Sequence, residues 1–111
     1  MDKSLFEGKT IGDIIDDDTK ILSKLREGFD VRAEKITDVW LREDGPYTVF
    51  SDFNSGFVVC FKDGEPRALF YVYDLEHVAI NAKRGMVTAR GHETNHEYWF
   101  DDDEYSEKHT R

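Results

Sequence analysis

Between Ile11 and Phe29, apolar residues recur at three-, four- and seven-residue spacings (Ile11, Ile14, Ile15, Leu22, Leu25, Phe29), with Asp13, Asp16, Asp17, Lys20, Lys24 and Glu27 between them. That is the period of an amphipathic helix. Thr10 is placed to cap a first helix, the aspartates at 16–18 favour a second start near Thr19, and Gly28 suits the left-handed closing position. The pattern predicts a short helix over about 10–16 and a longer one over about 19–27.

Beyond Gly28 the period changes. Short runs rich in Val, Ile, Phe, Tyr and Trp alternate with Gly, Asp and Asn turn signals, which is the signature of strands. Strands are expected near residues 31–42, 47–53, 57–62, 67–73, 77–82, 86–90 and 96–100. Their connections, Asp44-Gly45-Pro46, Asn54-Ser55-Gly56, Asp63-Gly64 and Lys83-Arg84-Gly85, are short, so neighbours should pair antiparallel as a meander. Pro66 cannot donate to a ladder, so its strand should begin late or lie at an edge. In Ala68–Tyr73 both alternate sets are apolar, which predicts a central strand with one face under the N-terminal helix. The expected fold class is α+β: one or two N-terminal helices packed on a twisted antiparallel sheet of five to seven strands. Residues 1–111 form one domain in this reading, with a helical cover over 1–28, the sheet over 29–100 and a loosely attached acidic tail over 101–111.

Length and composition narrow the classes. With 111 residues the chain is too short for architectures that need 200 or more. Charged residues make up 35%, yet 14% aromatics are too many for a disordered segment. The single Cys60 lies among Val58, Val59 and Phe61, so it reads as a buried small hydrophobe in a reducing compartment. No apolar signal segment or membrane span is visible, and a soluble cytoplasmic protein is expected. The net charge of −9 repels nucleic-acid phosphates and anionic lipid, so neither direct nucleic-acid binding nor membrane binding is expected, although Lys83, Arg84 and Arg90 form a local basic spot. Oligomeric state is left open.

One motif points to chemistry. Gly91-His92-Glu93-Thr94-Asn95-His96 contains H-E-x-x-H, which resembles the zinc metalloprotease signature. On a helix the two histidines would share a face and ligate Zn²⁺, with the glutamate activating a bound water. Around it, Val87, Ala89, Tyr98 and Phe100 alternate as strands do, and no third ligand has a diagnostic spacing. A polar turn between strands is the favoured reading; a metal-dependent hydrolase using His92, Glu93 and His96 is the alternative. No nucleophile elbow or phosphate loop is present, and no cofactor is implied.

The other feature is charge. Residues 92–111 hold seven carboxylates against two cations, more than half of the net charge. Tyr98, Trp99, Phe100 and Tyr105 lie among these acids, and aromatic anchors with a charged rim are typical of protein contacts. Of Trp99 against Tyr98 and Phe100, only one set can face a core. The expectation is a small non-catalytic interaction module that meets the basic, nucleic-acid-binding surface of a protein partner through Glu97, Trp99, Asp101, Asp102, Asp103, Glu104 and Tyr105. An inhibitor or adaptor of the kind made by phages and mobile elements is its concrete form, by analogy of composition. Asp16, Asp17 and Asp18 add a second acidic spot.

Overall fold

In a computed structural model, which describes residues 3–109, the chain is a β-sandwich with an irregular third layer. Among the described residues there are nine strands: β1 (Lys20–Ile21), β2 (Val39–Asp44), β3 (Tyr47–Asp52), β4 (Phe57–Lys62), β5 (Glu65–Tyr71), β6 (Leu75–Asn81), β7 (Met86–Gly91), β8 (Thr94–Trp99) and β9 (Glu104–His109). One sheet has the order β1-β5-β4-β3-β2 and the other β6-β7-β8-β9. All neighbours are antiparallel except β1, which runs parallel to β5.

Alternation along the strands builds two cores. Val49, Val58, Cys60, Ala68 and Phe70 face the second sheet, whose Val78, Val87, Ala89, Tyr98 and Phe100 meet them. Phe50, Phe57, Val59, Phe61 and Leu69 face the other way and are covered by Phe6, Ile11, Ile15, Val31 and Ile36 of the N-terminal segment. Strands buried on both faces read as unbroken apolar runs, as Phe57–Phe61 does. Opposite Pro66 the β4–β5 register shifts between Cys60 and Phe61, an irregularity that accommodates a residue without a backbone N–H.

The α+β expectation with N-terminal helices is overturned. Among the described residues the only helical pieces are three-residue 3₁₀ turns at Lys3–Leu5, Ile11–Asp13 and Val31–Ala33. Short polar side chains compete for the backbone here, as Asp, Ser and Thr do at helix ends and turns. The Asp13 carboxylate accepts from both the backbone N–H and the hydroxyl of Thr10, at 3.0 and 3.1 Å, closing a single turn. Asp16 accepts from the Asp18 N–H at 3.0 Å and the Thr19 hydroxyl at 3.0 Å, which halts any helix at the aspartate run.

The following segment is then recruited by the sheet. Lys20 and Ile21 pair with Ala68 and Leu69, the Leu22 N–H donates to the Leu69 carbonyl at 2.9 Å, and the Ser23 hydroxyl accepts from the Tyr71 N–H at 2.6 Å. These bonds satisfy the open edge of β5, which a helix packed on the sheet face would leave exposed. Residues expected on the buried stripe still serve as core: Ile11 and Ile15 are buried, while Leu22, Leu25 and Phe29 are half-buried. What changes is the backbone carrying them.

Two further differences follow. The stretch expected as one strand over 31–42 is a 3₁₀ turn and then β2, with Trp40 exposed on an edge strand. The stretch read as a loosely attached tail is a turn over 101–103 followed by β9, paired with β8 from Trp99↔Glu104 to Thr94↔His109. No helix among the described residues is long and apolar enough to cross a membrane.

Candidate functional site

The connections of the sandwich bring two acidic runs, residues 16–18 and 101–104, to one end. The β2–β3, β4–β5, β6–β7 and β8–β9 turns and the loop before β1 all lie there. The Asp63 N–H donates to the Pro46 carbonyl at 2.8 Å and the Thr19 hydroxyl, which donates to Asp16, lies 3.5 Å from the Pro66 carbonyl, while Lys62 pairs with Asp101 at 3.7 Å. Lys20 and Asp103, 83 residues apart, form an ion pair. The loop with the aspartates at 16–18 therefore ends beside the β8–β9 turn that carries Asp101, Asp102 and Asp103, and the β4–β5 turn with Asp63 lies at the same end.

The carboxylates of this end divide by task. Asp103 sits at φ 51° in the β8–β9 turn, a left-handed conformation that Asp tolerates better than most residues. It also accepts from the Tyr98 hydroxyl at 2.7 Å and holds Lys20, so it builds the turn. Asp16 is engaged by its own loop, and Asp17 lies 3.7 Å from Arg32. Asp18, Asp102 and Glu104 are exposed and have no ion-pair partner among the described residues. Together with Asp101 they form the outward-facing part of the acidic end.

The remaining expected contact residues separate by sheet face. Glu97, Trp99 and Glu104 point outward from β8 and β9, and the Trp99 indole N–H donates to Glu97 at 3.4 Å while the Arg84 guanidinium lies 5.5 Å from the Trp99 ring. Tyr98 and Phe100 are the inward pair, both buried. Tyr105 also turns inward, where its ring packs on Phe70 with centroids 5.1 Å apart and its hydroxyl meets His96 Nδ1 at 2.7 Å. Burial is the main reason its phenol is pushed up to about 12. Trp99 and Glu104 thus border the acidic end, whereas Tyr105 belongs to the interior.

The H-E-x-x-H residues do not lie on a helix. His92 is exposed in the β7–β8 turn, 3.8 Å from Glu76, and Glu93 accepts from the Tyr73 hydroxyl at 2.8 Å. That hydrogen bond is the largest cause raising the Tyr73 phenol to about 12. His96 is buried on the inward face of β8, with Nε2 3.0 Å from the Thr94 hydroxyl and Nδ1 engaged by Tyr105. Thr94 in turn donates to Asp74 at 2.9 Å, and Asp74 also accepts from the Glu93 N–H at 2.6 Å. Both ring nitrogens of His96 are used in this chain of bonds, which ties the β5–β6 loop to β8 and β9. Among the described residues no group of three His, Cys, Asp or Glu side chains is placed to hold a metal ion.

Nothing local in the sequence marks Lys20, Lys62, Asp63 and Glu65 as residues of a binding site. Each is an ordinary turn or strand-end residue locally, and only the pairing of β1 with β5 and of β8 with β9 brings them to one end. No protein-family model, curated protein or solved structure matches the chain.

Proposed function

We propose that this protein is a small non-catalytic interaction domain whose acidic end occupies a basic, nucleic-acid-binding surface of a partner protein, as an inhibitor or adaptor. The observation that carries the reading is the joining of two acidic runs, far apart in the chain, by the Lys20–Asp103 ion pair. Asp18, Asp101, Asp102 and Glu104 then present several carboxylates on hydrogen-bonded turns rather than on a loose tail. Fixed carboxylates stand in for phosphates on a basic groove and steer association over distances comparable to the Debye length. Trp99, half-buried at the border of this end, supplies an aromatic anchor. The buried, unpaired Cys60 thiol suits a reducing compartment, so the domain works in the cytoplasm in this reading.

The test compares the native chain with a variant carrying Asp18→Asn, Asp101→Asn, Asp102→Asn and Glu104→Gln, leaving the turn-building Asp103 intact. Partners are captured from a lysate of the native cells at low salt, and association kinetics are then measured with the captured protein, with and without duplex DNA. The expected result is a basic partner that DNA displaces, with an association rate that falls about tenfold or more in the variant and depends less on salt. Stability of the variant should stay within about 1 kcal/mol. An unchanged rate at low salt in a folded variant, or a complex indifferent to DNA, would refute the proposal.

A further inference from the structure

At the other end of the sandwich, a cleft of about 250 Å³ opens between the segment after β1 and the outer face of β4 and β5. Its floor is aromatic. Phe57 stacks with Phe29 at 6.2 Å and 24° and touches Tyr71 at 5.4 Å, with Leu25 beside them. The rim carries Lys24 and Arg26 on one segment and Glu34 on another.

The rim charges are the informative part. Lys24 and Arg26 are exposed, and neither has a carboxylate within ion-pair distance among the described residues. Two cations without an ion-pair partner among the described residues, beside an aromatic hollow, stand out in a chain of net charge −9. Arg26 is held with its guanidinium 5.6 Å from the Phe29 ring centroid, a cation–π contact that places the charge over the cleft wall and leaves its N–H groups free to donate. Glu34 reduces the rim to a net charge of +1, which suits one negative charge and disfavours a phosphate-like polyanion. The volume lies below the range of sites for drug-sized ligands, so it fits one ring with a short arm.

We propose that this cleft binds a small amphipathic monoanion: a flat apolar group packed against the half-buried Phe29, Tyr71 and Leu25, with its single carboxylate facing Lys24 and Arg26. The floor contributes apolar burial, and the two cations contribute charge-assisted hydrogen bonds and orientation. The cleft is at the opposite end from the acidic turns, so this inference stands or falls independently of the proposed partner.

The probe is phenylpropionate, one ring on a short carboxylate arm, titrated into the full chain by calorimetry. The expected result is saturable one-to-one binding that its neutral analogue phenylpropionamide and inorganic phosphate do not displace. A Lys24→Gln, Arg26→Gln double variant should weaken binding about tenfold. Glu34→Gln should tighten it about twofold to threefold, a gain that loosening of the fold does not mimic once an unchanged melting midpoint is shown. Absence of saturable binding, equal displacement by the amide, displacement by phosphate alone, or a folded double variant that binds as the native chain does would overturn the proposal. If the double variant does not fold, the amide comparison and Glu34→Gln decide the matter.

Discussion

Replacing Phe70 with Ala removes a side chain that both sheets share. Phe70 is fully buried on the inner face of β5, stacked on His96 at 5.7 Å and packed on Tyr105 at 5.1 Å. A Phe→Ala change at such a site costs about 3–5 kcal/mol, because lost transfer free energy adds to the cavity left between facing sheets that cannot collapse fully. The whole stability expected for 111 residues is only about 5–15 kcal/mol. With an unfolding entropy of about 2.1 cal/mol/K per residue, the melting midpoint should fall by about 13–21 °C. Phe70→Leu keeps most of the volume and should cost clearly less, so the order Phe, Leu, Ala separates a cavity from local strain. Thermal and urea unfolding of the three proteins, followed by circular dichroism, measures this directly. A cooperative Phe70→Ala transition within about 5 °C of the native midpoint would refute the idea that the two sheets close on one inner core at this residue.

Two more perturbations follow from the hydrogen-bonded chain around Asp74. Burial is the largest influence on His96 and lowers its pKa from the ordinary 6.5, against the pull of Glu107 and Asp74 in the other direction; the unfolded chain therefore takes up this proton first, so stability is full above about pH 6.5 and falls as the pH drops from there through the lower folded value. Urea midpoints between pH 8 and 5 should show that fall for the native chain and a flatter profile for His96→Gln; parallel profiles would exclude His96 as the source. At Gly91, an added Cβ would collide with the Asp74 carboxylate, so Gly91→Ala should expel that group from Glu93 and Thr94 and cost about 2 kcal/mol or more. A melting midpoint unchanged in Gly91→Ala would show that Asp74 has room to move aside.

Wherever the relevant physics is local, the residues themselves announce it. Asp63-Gly64 and Lys83-Arg84-Gly85 turn the chain as their conformational preferences require, and Phe57–Phe61, apolar at every position, lies in a strand covered on both faces. Tyr98 and Phe100 against Trp99 show period two, with the pair inward and Trp99 outward. The turn between β7 and β8 at His92 likewise follows from Gly91 and the alternation on either side.

Hydrophobic spacing alone, by contrast, did not reveal what backbone carries it. Ile11, Ile15 and Leu25 mark positions to be covered, and that requirement is met equally by a helix or by an irregular layer threaded along the sheet. The choice was made by partners distant in sequence: the edge of β5 offers hydrogen bonds to Lys20, Ile21, Leu22 and Ser23, and Asp13 and Asp16 spend the local ones on turns. Strand β9 was hidden for the same reason, since Glu104–His109 is polar and charged and becomes a strand by pairing with β8 rather than through its own propensity. The acidic composition and the position of each run along the chain were properties of the sequence. Their meeting at one end, and the opposite placement of Lys24 and Arg26 beside an aromatic cleft, are decided by strand order and register, which depend on contacts between residues tens of positions apart.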